Sequence, residues 1–330
     1  MKMTVVTGAA GFIGRNAVAE LNRRGTTELL LVDRLQSDER WKNLVGLRFE
    51  DLISPEEFLD RLHGMGDAAL PEIDTIIHLG ACSATTERDA DYLLRNNYAY
   101  TRALCEWAQG KGVRFVYASS AATYGDGSLG YDDSDAVTPR LRPLNMYGYS
   151  KQMFDLWALK HGLFSTAENP IAGLKYFNVY GPYEDHKGDM RSVVHKSFGQ
   201  IGDGSGKVQL FKSHRKEYRD GEQMRDFVYV KDAVDVTLWL AEHREVGGLF
   251  NCGTGNARTW NDLVTAVYGA MGHTPQIEYI DMPEPLQGKY QYFTQAKMDK
   301  LRAAGYGKPF TMLEDGVHDY VTTYLKPRAA

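Results

Sequence analysis

Hydrophobic positions in this chain alternate between short β-branched runs and longer stretches at helical spacing. Residues 3–7 (Met-Thr-Val-Val-Thr) read as a strand, and Ile13, Ala17, Val18 and Leu21 follow at near-helical intervals. The rhythm repeats, with strands expected at 29–32, 47–49, 75–78, 113–117 and 171–177 and helices over 91–109 and from Met146 through Lys160. A further helix starts at Ser54, an N-cap serine followed by Pro55 at the first helical position and Glu56 and Glu57 in the first turn. Residues 64–72 read as a loop. Strands alternating with helices in this way predict an α/β fold built on a doubly wound parallel sheet.

From Asn178 the rhythm breaks. Gly181 and Pro182 interrupt the chain, and irregular, polar or basic stretches are expected up to Asp226. Shorter elements follow: a strand at 227–230, a helix to His243, a strand at 249–250, a helix after Thr259 and a strand at 276–280. The expected organisation is a dinucleotide-binding Rossmann domain over 1–177 and a smaller, mixed α/β domain over 178–330 that mainly binds substrate. Residues around 226–255 are expected to return to the first domain.

Composition narrows the class. A net charge of −5 over 330 residues gives no general attraction to nucleic acid or anionic membrane. No apolar run approaches the ~20 residues of a membrane span, and the chain enters its first strand without a signal-like segment. Cys82, Cys105 and Cys252 fit neither a disulfide framework nor a zinc site, so no metal is expected and a cytoplasmic location is. Cys82 reads as a small packed residue rather than a nucleophile.

The chemistry begins at the first strand–helix turn. Gly8, Gly11 and Gly14 are spaced G-x-x-G-x-x-G between a strand and a helix. Gly8 permits the tight turn, Gly11 lets backbone approach a pyrophosphate, and Gly14 lets helix and strand pack closely. The helix N-terminus offers free N–H groups to that anion. Asp33, ending the second strand, is placed for ribose hydroxyls, whereas Arg34 and Arg40 favour a 2′-phosphate. NADP is therefore expected over NAD, with Asp33 arguing partly the other way. The small residues from Leu79 through Gly80, Ala81 and Cys82 to Ser83 end the fourth strand, where ligands bind in open α/β sheets. Asn96 and Asn97 are poor helix formers and point to a polar contact with backbone or cofactor.

Tyr147 and Lys151 stand one helical turn apart and share a face. An ammonium about 4 Å from a phenol contributes roughly 4 kcal/mol at an effective dielectric near 20. That is enough to lower the phenol by about three units, toward the range where general bases work best. Ser120, at the end of the fifth strand, can hydrogen-bond the same substrate oxygen. Lys187, taken from spacing alone, reads as a loop lysine that binds a phosphate.

Together these strings resemble the extended short-chain dehydrogenase/reductase family of NAD(P)-dependent nucleotide-sugar epimerases and dehydratases, over essentially the whole chain. Alanines at 121 and 122 replace the Asp-Glu pair of the dehydratases, which argues against water elimination. The strings at 80–83, 85–87, 176–182, 186–188, 225–230, 288–291 and 293–295 look like the branch that epimerises an ADP-heptose at C6″. The resemblance implies transient oxidation of that carbon and return of the hydride on the other face. It implies Tyr147 and Lys187 as the two acid/base groups, with Lys151 and Ser120 in support. It implies cofactor contacts at Phe12, Ile13, Asp33, Arg34, Arg40, 79–83, Asn96, Val179 and Lys187. It implies substrate contacts at Ser120, Asn178, Asp189, His195, Lys196, Phe211, Lys212, Ser213, His214, Arg225 and Tyr290, and a homo-oligomer, pentameric in similar proteins. A UDP-hexose 4-epimerase, a nucleotide-sugar reductase and a non-catalytic NADP-binding protein are the alternatives.

Overall fold

The computed structural model describes residues 2–65, 70–287 and 290–329. Part of the loop expected at 64–72, and Gly288 and Lys289 of the string at 288–291, lie outside the described residues. The strands are β1 Met3–Thr7, β2 Leu29–Val32, β3 Asp51–Ile53, β4 Ile73–His78, β5 Arg114–Ser120, β6 Ala172–Tyr176, β7 Asn178–Tyr180, β8 Val208–Phe211, β9 Met224–Tyr229, β10 Gly248–Cys252, β11 Ala257–Thr259 and β12 Ile277–Ile280. The helices that position the site are α1 Phe12–Arg23, α2 Pro55–Leu62, α3 Ala90–Leu93, α4 Tyr100–Lys111, α5 Met146–Lys160, α6 Val193–Gly202, α7 Val230–Glu242 and α8 Trp260–Met271.

A seven-stranded sheet runs β10-β6-β5-β4-β1-β2-β3, and every pairing in it is parallel. Its order reverses beside β1, which leaves a crevice at the carboxyl ends of β1 and β4. Alternation along β1 builds both layers. Val6 packs with Leu29, Leu31 and Ile77 against Ala17 and Val18 of α1 and Val234 and Leu238 of α7. Val5 packs on the opposite face with Leu30, Ile76 and Phe115 against Phe58, Leu104 and Phe154. Strands buried on both faces explain why the parallel runs read as continuously apolar.

The helix starts follow their caps. Ser54 accepts from the Glu57 N–H, Asn145 accepts from the Gly148 N–H, and Thr259 forms a capping box with Asp262. Three expectations are corrected. The third strand lies at Asp51–Ile53, not 47–49: a turn returns the Leu47 N–H to Leu44, and pairing with β2 starts only where Asp51 meets Leu30. The helix over 91–109 is real but interrupted by a π-type turn at Leu94–Ala99 that holds Asn96 and Asn97. The stretch before Asp226 is more regular than expected. It contains α6, whose Val194, Ser197, Phe198 and Ile201 make a helical stripe, and β8, which pairs in parallel with β12. β7, β9 and β11 form a small mixed sheet.

Candidate active site

A cleft of about 1210 Å³ opens over the carboxyl ends of the parallel strands. Its first wall is the turn after β1. Gly8 has φ +68°, and a Cβ there would lie 2.7 Å from backbone of Gly80. A Cβ on Gly14 would lie 2.0 Å from the Gly8 carbonyl. Both positions demand glycine for the close approach of α1 to the strand ends. The Asp33 carboxylate bridges this turn, accepting the Ala10 N–H at 2.8 Å and its neighbour Arg34's N–H at 2.7 Å. Burial pushes its pKa up, against these two donors.

Two arginines border the far end. Arg34 pairs with Glu56 on α2 and reaches Asn96 at 3.4 Å. Arg40 is clamped by Asp38, with contacts of 2.7–3.0 Å. Each guanidinium thus holds an internal carboxylate. Asn97 ties down the loop at Cys82. It accepts the Cys82 N–H and donates to the Cys82 carbonyl, both at 2.9 Å, and donates to Ser150 Oγ at 3.0 Å. Ser150 donates in turn to the Tyr147 carbonyl at 2.7 Å. The π turn therefore ties the 79–83 loop to the helix that carries Tyr147.

Tyr147, Lys151, Ser120, Asn178, Val179 and Lys187 all line the cleft. The electrostatics differ from the sequence expectation. Lys151 Nζ donates to the Ala118 carbonyl at 2.8 Å. Burial raises the Tyr147 phenol, with Ser120's hydrogen bond opposing, and lowers Lys151 to about 8, with Asp155 opposing. Desolvation is the largest cause for both groups, so the phenol moves in the direction opposite to the one argued from spacing. Behind them lies a buried ion pair: Asp155 accepts from Tyr117 at 2.8 Å and Ser119 at 2.7 Å and faces Lys175 at 3.8 Å. Lys187 is held by Glu184 at 3.9 Å and stands 4.9 Å from the Phe12 ring centre; burial lowers its pKa.

Gly11, Phe12, Ile13, Arg34, Arg40, Gly80, Ala81, Cys82, Ser83 and Asn96 also line the cleft. Asp189, His195, Lys196, Phe211, Lys212, Ser213, His214, Arg225 and Tyr290 do not. Several of these gather in a second neighbourhood. Arg225 lies 5.0 Å over Tyr290 and 5.7 Å over Trp260, and His214 bonds the Tyr292 hydroxyl at 2.8 Å. Trp260 joins the two, since it lines the cleft and donates to the Tyr290 hydroxyl at 2.8 Å. His195 pairs with Asp185 at 3.1 Å, and Lys212 pairs with Asp281 at 3.0 Å. Sequence reasoning missed Tyr100, His186 and Trp260 in the lining and read Glu56 only as a helix-start acid. The helical offset of Tyr100 from Asn96 was the available signal.

The glycine turn leaves a cradle that any Cβ would fill, beside paired guanidinium groups and an open helix N-terminus. These residues fit a dinucleotide.

The sequence pattern of the NAD dependent epimerase/dehydratase family matches residues 4–253. An ADP-L-glycero-D-manno-heptose-6-epimerase of Nitratidesulfovibrio vulgaris (strain DP4) is 58% identical over 325 residues, 98% of each chain. The crystal structure of the Helicobacter pylori enzyme of that name is similar at a TM-score of 0.78 and 28% identity, covering 98% of this chain and 96% of that one. A Thermus thermophilus UDP-glucose 4-epimerase in complex with NAD is similar at 0.74 and 26%, covering 97% of each. Glycine turn, parallel sheet and near full-length likeness agree, and the chain belongs to the NAD dependent epimerase/dehydratase family.

Proposed function

We propose that this chain interconverts the C6″ epimers of ADP-glycero-manno-heptose, using NADP that it keeps through the cycle. The observation that carries the reading is 58% identity, over 98% of both chains, to a protein named for that reaction. When bound, NADP would supply the hydride acceptor and donor for C6″. Gly8, Gly11, Gly14 and Asp33 would hold its adenosine diphosphate, with Arg34 and Arg40 at a 2′-phosphate. The paired arginines favour NADP, because a phosphate dianion exchanges directly for Glu56 and Asp38.

Tyr147 takes the proton from the substrate hydroxyl on one face, and Ser120 orients that oxygen. Lys151 supplies the positive charge that favours the phenolate. Lys187, across the cleft, delivers and accepts the proton on the other face. Desolvation lowers the pKa of both amines, that of Lys151 to about 8, which eases their proton exchange. Asn178 would meet the sugar, and Val179 the cofactor. Asp189, His195, Lys196, 211–214, Arg225 and Tyr290 would meet the nucleotide diphosphate beyond Trp260. We read 1–177 with the later strand β10 as the cofactor half and the remainder as the substrate half. We place the protein in the cytoplasm as a homo-oligomer.

The test is to incubate purified protein with ADP-D-glycero-β-D-manno-heptose, without added cofactor, and resolve the two epimers. Conversion to the L-glycero form without net change in NADPH supports the reading. Net NADPH consumption points to a reductase. No conversion even with added NADP⁺, but turnover of UDP-galactose, points to a 4-epimerase.

A further inference from the structure

Glu184 is fully buried behind the wall that carries Lys187, and it does not line the cleft. Its carboxylate has four partners. It accepts the Ser192 N–H at 2.6 Å, the Ser192 hydroxyl, and the Tyr320 phenol at 3.1 Å. Lys187 Nζ stands 3.9 Å from it. A buried carboxylate is tolerated when donors and a cation satisfy its charged form. Here the donors come from outside the short 3-10 turn Asp185–Met190 that presents Lys187. Ser192 is the N-cap of α6, and Tyr320 opens a π-type turn in the C-terminal segment. Tyr320 is itself anchored, because its neighbour Asp319 accepts from Tyr229 and Lys231, both at 2.6 Å.

Within the turn, the Lys187 N–H donates to the Glu184 carbonyl at 3.0 Å, which holds the backbone but not the side chain. The turn has no side-chain cap, and Gly188 breaks it at φ +52°. The ammonium has two close neighbours, the Phe12 ring centre at 4.9 Å and the Glu184 carboxylate at 3.9 Å. The adjoining His186 is occupied with Asn43 at 3.2 Å, and burial and Arg40 lower its pKa. Asp185 is taken by His195.

We infer that Glu184 is the positioning residue of Lys187: its carboxylate fixes the ammonium against Phe12 and transmits to it the docking of the C-terminal segment through Tyr320. This rests on the reading of Lys187 as an acid/base group. If Glu184 served only to staple Ser192 to the turn, its negative charge would be dispensable to Lys187.

Competitive acetylation of Lys187 across a pH series, read by peptide mass spectrometry, tests the coupling without using turnover. In Glu184→Gln, which preserves shape and the Ser192 N–H bond, the reactivity midpoint of Lys187 moves down by roughly one pH unit. In Tyr320→Phe the charge remains, so the midpoint stays near wild type while kcat for epimerisation falls about tenfold from looser placement. An unchanged Lys187 midpoint in Glu184→Gln overturns the inference. So does a Tyr320→Phe protein with wild-type kcat, which also decides the matter if Glu184→Gln does not fold. Full epimerisation by Lys187→Met would overturn the acid/base reading instead, and would leave the labelling result standing.

Discussion

The ammonium of Lys151 donates to the carbonyl of Ala118 at 2.8 Å, which docks the cleft-lining face of α5 on the strand that ends at Ser120. Tyr147 stands one turn earlier on the same helix. The lysine is thus oriented by backbone before any ligand arrives, and burial has lowered it to about 8. Its charge is lost as pH rises through that value. The epimerisation rate is expected to fall on the alkaline side near pH 8, and Lys151→Met removes that limb together with most of the activity. A pH–rate profile of both proteins checks this.

Tyr147→Phe keeps the ring and removes the phenolic oxygen to which the proposal assigns proton transfer. Burial raises the pKa of this phenol, so the free protein holds it protonated at neutral pH. Loss of general acid–base chemistry is expected to reduce turnover by about 10²–10⁴. Cofactor affinity, measured by fluorescence titration, is expected to stay at the wild-type value.

Arg34 is occupied by Glu56 in this structure. Glu56→Gln frees the guanidinium and is expected to tighten NADP binding by about tenfold, with little effect on NAD. Arg34→Leu is expected to do the reverse, since charge-assisted hydrogen bonds contribute about 1.5–3 kcal/mol. Calorimetric titration with the two cofactors separates these outcomes.

His78 is buried between Thr7 at 2.7 Å and Thr101 at 2.8 Å, and desolvation lowers its pKa to about 3. Below about pH 6.5 the unfolded chain takes up a proton that the native state refuses. Its contribution to stability therefore falls with decreasing pH, by about 1.4 kcal/mol per unit. His78→Gln is expected to flatten the acid limb of a urea-denaturation series run between pH 6.5 and 4.

Gly14→Ala is expected to destabilise the protein by about 3 kcal/mol. The added Cβ would sit 2.0 Å from the Gly8 carbonyl, so α1 must move from the turn. Thermal unfolding and cofactor titration are expected to shift together.

Local signals carried much of this molecule. The glycine spacing, the apolar parallel runs and the caps at Ser54, Asn145 and Thr259 act over a few residues, so the sheet and its flanking helices were legible from the chain. Tyr147, Lys151 and Ser120 were legible because helical spacing and a strand end place them. The third strand was misplaced by four residues, because cross-strand pairing with Leu30 rather than hydrophobicity sets where it begins. Asn97 was marked as unusual, yet its partners Cys82 and Ser150 are 15 and 53 residues away.

Sequence by itself determined the elements, the cradle and the candidate side chains Tyr147, Lys151 and Ser120 that line the cleft, since each follows from local geometry. Tertiary structure alone decided their protonation and partners. Burial of Tyr147 and Lys151 reversed the expected direction of the phenol's shift, Glu56 and Asp38 claimed the arginines, and Glu184 with Tyr320 fixed Lys187. Desolvation and long-range hydrogen bonds depend on what the whole fold packs around a group, and no window of neighbouring residues contains that.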